Sequence, residues 1–280
     1  MSSLREVKDR IASVRGTLKI TSAMKLVASS KLRKAQRAIE SLRPYEEALL
    51  KILSEVASGS GYNQKAGEGK TVLLAFSSNN SMCGAFNANV IKRTLGEIRT
   101  VRDSGKEVEV WAFGKKMAEA LRKSGFPAAR DYTALVSHAD YARVSELSAE
   151  LRDMFASGQV GSVSLVYNHF VSTGRQEVVL EPFLGEDRSF ASAQDDKEYI
   201  LEPSREELME TLIPQVLDME LYGALLDSAA AEHAARMIAM QAATDNGESL
   251  LAELTLEYNK GRQQKITSEI LDLVGGSAQQ

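Results

Sequence analysis

The stretch from Pro203 to Gly276 constrains this chain most. Ser204 with Glu207 three residues on is a helix-start signature. From Gln215 onward there is no proline. Reading every third or fourth residue from Leu217 gives Leu221, Ala224, Ser228, Ala231, Ala235, Ile238, Ala242, Asp245, Ser249, Ala252, Leu256, Asn259, Gln263, Ile266, Ile270 and Leu273. That is the spacing of a coiled-coil seam. A helix this long spans roughly 100 Å at ~1.5 Å per residue. It cannot lie on an ordinary domain and needs a partner helix of similar length. The middle of the expected seam is mostly Ala and Ser. At ~25 cal/mol per Å² such residues bury little. Asp245, Asn259 and Gln263 then read either as polar register positions or as positions contacted by other chains.

The other end of the chain supplies the partner. Leu4, Val7, Ile11, Val14, Leu18 and Thr21 repeat at three and four, and Met24, Ala28, Ala35, Ile39 and Leu42 continue the stripe. Ser2 or Ser3 can cap its start. Pro44 predicts a kink or break. Leu49, Ile52, Leu53 and Val56 carry the helix to Gly59-Ser60-Gly61. Residues 1–58 and 204–276 are therefore expected to pair antiparallel as one discontinuous coiled coil.

Between them, residues 70–200 read as an α/β domain. Thr71–Phe76 is a buried strand, followed by the polar loop Ser77–Gly84 and a helix from Ala85 to Arg102. Glu107–Phe113 is a second strand and Lys115–Lys123 a second helix. A short strand is expected within Phe126–Val136, and a helix over Tyr141–Phe155. Val163–Val171 and Glu177–Phe183 suggest a hairpin around Thr173-Gly174, and Ser189–Lys197 a loop tip. The alternation implies parallel βαβ units. The whole is a mixed fold: a two-helix coiled coil with a Rossmann-like insert.

Several classes are disfavoured. The formal net charge of −4 argues against a general nucleic-acid binder. Cys83 is the single cysteine, so neither an intramolecular disulfide nor a cysteine zinc cluster is expected. No apolar run reaches the ~18 residues of a membrane span, and the polar N-terminus with Glu6 and Asp9 reads as neither signal nor transit peptide. The Ser77–Gly84 loop has neither G-x-G-x-x-G nor G-x-x-x-x-G-K-[ST], and no basic residue to meet a phosphate. His138, His169 and His233 are isolated, so no metal, cofactor or catalytic set is assigned. Charge is skewed in one place. Between Arg10 and Ile39 there is no acid, while Arg10, Arg15, Lys19, Lys25, Lys31, Arg33, Lys34 and Arg37 supply eight cations. Such a run reads as a solvated face or as a surface for an acidic partner. It lacks the aromatic residues that stack nucleic-acid bases.

Two stretches carry a resemblance. Ile20-Thr21-Ser22-Ala23-Met24-Lys25-Leu26-Val27-Ala28 resembles the N-terminal signature of the gamma subunits of F-type ATP synthases. Ala243-Thr244-Asp245-Asn246-Gly247, Leu256–Gln263 and Ile266–Ile270 are similar to that family's C-terminal helix. The Ser77–Asn87 loop is similar to the family's central loop. Departures are Asn79-Asn80-Ser81-Met82, where the family has an acidic-basic-Gly stretch, and Gly247 and Gly261, where Ala is usual. The chloroplast cysteine pair is missing, which with the N-terminus suggests a bacterial source.

The resemblance implies a non-catalytic rotor shaft, without cofactor, inside a hexamer of alpha and beta subunits. It would couple rotation of the ring of c subunits to conformational cycling of the catalytic beta subunits. Ile266, Ile270, Leu273 and Val274 would form an apolar tip. Arg262, Gln263 and Thr267 would hydrogen-bond a beta loop, and Met24 and Lys25 would lie near acidic loops of beta. Tyr199, Ile200, Leu201 and Glu202 would face epsilon and the c-ring. Membrane association, through the complex only, would be peripheral, on the cytoplasmic side of a bacterial inner membrane. Two other classes stay open on the residues alone: a coiled-coil adaptor, and an enzyme using the Ser77–Gly84 loop.

Overall fold

The computed structural model describes residues 3–57, 63–64, 67–185, 188–189, 202 and 204–277, without the side chains of 57, 63–64, 188–189 and 272–277. Ser2, the 59–61 linker and residues 190–201, with Tyr199, Ile200 and Leu201, lie outside it. The first helix, α1, is Leu4–Ala57. Ser3 starts it with a reciprocal cap: Ser3 N donates to Glu6 Oε2 at 2.9 Å, and Glu6 N donates to Ser3 Oγ at 3.2 Å. The last helix, α6, is Arg205–Ser277, and Ser204 Oγ accepts from Glu207 N at 3.2 Å.

Of the kink or break expected at Pro44, the break does not occur: α1 runs through it. A proline inside a helix removes one backbone bond and costs roughly 3 kcal/mol. Buried packing on either side offsets that cost: Leu42, Leu49, Leu53 and Val56 all join the core. Pro214 sits inside α6 under the same conditions, beside the buried Ile213, Val216 and Leu217.

The chain divides into two compact units. The larger is Ser29–Arg236. It holds strands β1 (Asn63–Gln64), β2 (Lys70–Phe76), β3 (Val108–Phe113), β4 (Arg130–Asp131), β5 (Val160–Ser172), β6 (Arg175–Leu184) and β7 (Arg188–Ser189). Five form one sheet in the order β4-β3-β2-β5-β6, parallel except for the β5–β6 hairpin. β1 and β7 form a separate antiparallel pair, which places Ser189 in a strand rather than in the expected loop tip. Helices α2 (Phe86–Asp103) and α3 (Lys115–Lys123) cover one face of the sheet. There Val90, Ile98, Met117 and Leu121 meet Leu73, Ala75, Val110 and Ala112. The opposite face, with Val72, Leu74, Phe76, Trp111, Phe113 and Leu165, packs on α4 (Thr133–Ser137), on α5 (Tyr141–Ala156) and on the long helices. From those helices come Leu49, Leu53 and Val56 of α1 and Met209, Ile213, Val216 and Leu217 of α6.

A polar clamp fixes α5 to α6. Arg152 Nη1 donates to Asp218 Oδ1 at 2.8 Å and to Pro214 O at 3.0 Å, while Ser145 Oγ donates to Asp218 Oδ2 at 2.5 Å.

The second unit contains the beginning of α1 and α6 from Met237 onward. Its pairing is antiparallel. Thr244 Oγ1 meets Thr21 Oγ1 at 2.9 Å. A Cβ added at Gly247 would stand 2.7 Å from Leu18 Cδ2, and one at Gly261 3.1 Å from Leu4 Cδ2. Each glycine is thus a hole for a leucine knob. On α1 the seam is the expected one, with Val7 and Thr21 buried and Leu4, Ile11, Val14 and Leu18 half-buried.

On α6 the expected seam is wrong in this unit. Ile238, Ala242, Asp245, Ser249, Ala252, Leu256, Asn259 and Gln263 are exposed. The observed seam is Met240, Thr244, Gly247, Leu251, Leu254, Tyr258 and Gly261. In the larger unit the expected Leu217, Leu221, Ala224, Ser228 and Ala231 are buried. α6 carries two apolar stripes, and the outer one has the larger residues at several levels. Asp245 is therefore no buried register residue; it accepts a hydrogen bond from Gln241 Nε2 at 2.6 Å on its own helix.

Two truncations measure the seam. Leu254, 4 % exposed, is expected to cost about 2–4 kcal/mol on conversion to Ala, whereas Leu256, 73 % exposed, should cost under about 0.5 kcal/mol. Urea unfolding of the full-length Leu254→Ala and Leu256→Ala variants checks this. Equal costs would contradict the observed seam.

Candidate interaction surface

The loop after β2 is occupied by its own contacts. Ser77 Oγ accepts from Met117 N at 2.8 Å, Ser78 O from Lys116 N at 3.1 Å, and Asn79 Oδ1 from Lys115 N at 3.0 Å. The three N–H groups opening α3 are therefore satisfied by the loop, as helix starts require. Asn79 Nδ2 reaches on to Thr133 O and Ser137 Oγ at 3.1 and 2.7 Å. Asn87 Oδ1 accepts from Ser78 N at 3.0 Å, and Asn87 Nδ2 donates to Cys83 Sγ at 3.1 Å. Cys83 is buried against Phe86 and Ala231. From α6, Arg236 Nη2 donates to Asn80 O at 3.2 Å and Ser81 O at 3.4 Å, while Arg236 Nη1 holds Glu232 at 2.5 Å. Gly114 has φ +105, and a Cβ there would lie 2.2 Å from Ser77 O. Only glycine allows the loop this close. The loop works as a strap binding the sheet to α6. Sequence reading missed Arg236, Asn79 and Asn87 in this role, because their partners are remote in the chain.

The smaller unit offers outward surface instead. On α1, Arg10, Arg15 and Lys19 are exposed beside Ile20, Leu26 and Val27, with the last three 61 %, 70 % and 56 % exposed. Met24 and Lys25 are half-buried between them. Ion pairs are absent from all these cations among the described residues. In the larger unit, Lys31, Arg33, Lys34 and Arg37 continue the exposed basic run.

On α6 every residue from Arg262 to Leu271 is exposed. Gly261 faces Leu4, the first residue of α1. Beyond that level α6 continues for about 24 Å at ~1.5 Å per residue with no α1 residue opposite it among the described residues. Ile266, Ile270 and Leu271 stand exposed on it at 48 %, 54 % and 64 %. Arg262, Gln263 and Thr267 share this overhang, and Thr267 Oγ1 donates to Gln263 O at 2.9 Å. Leu273 and Val274 continue the helix backbone, with side chains outside the described residues. Glu202 is exposed in a bend of the larger unit. Among the described residues no helix is long and apolar enough to cross a membrane, and no group of His, Cys, Asp and Glu is placed to hold a metal ion.

Relatives with this arrangement are numerous. The family model described as ATP synthase matches residues 3–279. A protein named ATP synthase gamma chain from Bacteroides thetaiotaomicron is 46 % identical over 300 aligned positions, covering 100 % of both chains. The chain belongs to the ATP synthase gamma-chain family. A gamma chain from Flavobacterium johnsoniae is 42 % identical over 99 % of this chain and 98 % of that one. The same fold occurs in a chain of the Euglena gracilis mitochondrial ATP synthase, in a structure of OSCP, F1 and c-ring. Its TM-score is 0.68 at 17 % identity, with 98 % and 93 % coverage. A chain from the central stalk and c-ring of Tetrahymena thermophila mitochondrial ATP synthase has TM-score 0.59 at 22 % identity, covering 80 % and 99 %. The resemblance seen in the gamma-chain signature stretches thus extends over the full chain.

Beside the strap, His233 of α6 is pushed down to about 4 from 6.5, first by burial and then by Arg236 and Lys31. Its Nδ1 is buried without a hydrogen-bond partner among the described residues. The folded state holds His233 neutral and the unfolded state protonates it first, so stability should fall as pH drops from about 6.5 towards 4. His233→Gln is expected to flatten that part of the stability–pH profile, measured by urea unfolding across this range. An unchanged slope would place the acid sensitivity elsewhere.

Proposed function

We propose that this chain is the central rotor shaft of a bacterial F-type ATP synthase, transmitting torque without catalysing a reaction itself. The carrying observation is the end of α6, with Ile266, Ile270 and Leu271 exposed where, among the described residues, no α1 residue stands opposite. A single amphipathic turn in water gains nothing from such residues; an enclosing apolar sleeve would stabilise them. In this reading the sleeve is the bore of the alpha–beta hexamer, which membership of the gamma-chain family supports. Ile266, Ile270, Leu273 and Val274 then serve as the bearing tip, and Arg262, Gln263 and Thr267 as polar contacts to a beta loop. Tyr199, Ile200, Leu201 and Glu202 are assigned to the foot that meets epsilon and the c-ring. The complex brings the chain to the cytoplasmic face of the inner membrane, where ion flow turns the ring.

The basic run gives the shaft an electrical side. Met24 and Lys25 lie in it and are assigned to the acidic loops of beta. A positive shaft turning past three negative levers meets a potential that varies with angle, and that variation transmits force. Two unit charges 4 Å apart interact by about 4 kcal/mol at an effective dielectric of ~20, an upper range for exposed groups. Many contacts share the load, so no single one is essential.

Met24→Lys adds a charge to a crowded face. It is expected to strengthen a contact in one rotary state and to lower ATP synthesis more than hydrolysis, with partial rescue by salt. Lys25→Ala should do less. Proton-driven synthesis and ATP hydrolysis by the assembled complex, measured side by side, test this. Equal loss of both activities at every salt concentration would refute the coupling role. Failure of the chain to co-purify with an ATP-hydrolysing hexamer would refute the shaft itself and favour a free-standing adaptor.

A further inference from the structure

A cavity of about 280 Å³ lies inside the larger unit, where α1, α6 and the β5–β6 hairpin meet. It has room for several waters at ~30 Å³ each. Its walls are apolar at Ile39, Leu42, Leu49, Val216 and Met219, but four carboxyl groups also line it. Glu46 comes from α1, Glu220 and Asp227 from α6, and Glu181 from β6. The other titratable and charged groups facing it are Arg43 on α1 and Tyr167 and His169 on β5. Two of the acids are tied in place. Tyr167 Oη donates to Glu181 Oε2 at 2.8 Å. Asp227 Oδ1 accepts from Phe170 N at 3.0 Å, and Asp227 Oδ2 lies 2.5 Å from His169 Nδ1. These carboxyls are not gathered closely enough to hold a metal ion. Across the cavity, Glu46 is repelled by Asp227 and Glu181.

We propose that this cavity is a proton-operated latch: uptake of a proton at Glu46 draws α1, α6 and the β5–β6 hairpin together, and loss of that proton loosens them. Glu46 is the group free to change. Asp227 and Glu181 have donors already, whereas the Glu46 carboxyl makes no hydrogen bond or ion pair among the described residues. Its oxygen lies 3.9 Å from the position a Cβ would take at Gly223, so it sits against the bare backbone of α6. Ionised, it is repelled by Asp227 and Glu181. Neutral, it no longer repels them and carries a hydrogen-bond donor of its own.

Burial raises the Glu46 carboxyl above its ordinary value of 4.5, Arg43 opposes this, and Glu47, Asp227 and Glu181 reinforce it. The folded state therefore holds this proton at pH values where the unfolded chain has released it. The stabilisation is present below the raised value and is lost as pH rises through it. Within the shaft reading, acidification would stiffen the joint between the sheet and the long helices.

Amide hydrogen exchange on the full-length chain tests the latch independently of any complex. After correction for intrinsic rates, and in the His233→Gln chain that removes the opposing acid sensitivity and serves as reference for every variant, the opening protection of the 46–53 and 167–181 segments should rise as pH falls from 7.5 to about 5. Glu46→Gln, whose amide imitates the neutral acid, should show the high protection at both pH values. Glu181→Gln removes one repelling charge and should move the response to lower pH; it keeps the test decisive if Glu46→Gln fails to fold. His169→Gln should retain the response. A Glu46→Gln variant with the pH dependence of the reference chain would overturn the proposal. So would loss of the response in His169→Gln or an unmoved response in Glu181→Gln.

Discussion

Each long helix depends on the other for a wall, and this dependence sets most of the structure. A helix of 54 or 73 residues cannot satisfy an apolar stripe by itself. In the smaller unit the solution is close approach rather than large buried area. Leu4 fills the space at Gly261, Leu18 fills that at Gly247, and the Thr21 and Thr244 hydroxyls meet at 2.9 Å. Glycine in a helix interior costs up to about 1 kcal/mol relative to alanine. Here that cost accompanies a fit in which a leucine sits directly on the opposing backbone. Three such levels fix the antiparallel register, and the register fixes how far α6 outruns α1. The exposed end is therefore a consequence of pairing, not a separate feature.

Most of the fold was legible in the sequence because its signals were local. The strands around Leu73 and Val110 and the helices covering them show in runs and periodicities of a few residues. The stripe of α1 is legible because its seam positions are apolar at nearly every level. α6 is harder. Its inner stripe contains Thr244, Gly247 and Gly261, while its outer stripe contains Ile238, Leu256, Ile266 and Ile270. A reading that follows size is drawn to the outer stripe, which the structure leaves in water. Gly247 and Gly261 were visible as departures from alanine. Their purpose depends on Leu18 and Leu4, more than two hundred residues away.

The candidate surfaces divide along the same line. The acid-free run from Arg10 to Ile39 is a property of consecutive residues, so it needs no structure to be seen. The outward placement of Ile20, Leu26 and Val27 needs the seam phase of α1 first. Pro44 leaves the sequence reading open between a kink and a break for another reason. Its local cost is real, but Leu42 and Leu49 are anchored on either side of it, and tertiary packing outweighs propensity. The two-residue strands β1 and β7 have no periodicity to read at all.

The strap and the clamp explain how an α/β sheet can be carried by a helix without slipping. Apolar contacts such as Leu53 against the sheet resist separation, but they resist sliding weakly because the hydrophobic effect has no direction. Hydrogen bonds and ion pairs have preferred geometries, so they oppose displacement along the interface. The larger unit places them on two sides of the sheet's attachment. Arg152 holds Asp218 and the Pro214 carbonyl from α5, and Arg236 holds the Asn80 and Ser81 carbonyls of the β2 loop. That loop leaves the carboxyl end of a parallel strand, where folds of this class commonly keep N–H groups open for a ligand. Here the N–H groups of Lys115, Lys116 and Met117 are spent on the loop, and the loop's carbonyls on α6. A position often used to bind a small molecule is instead used to bind α6.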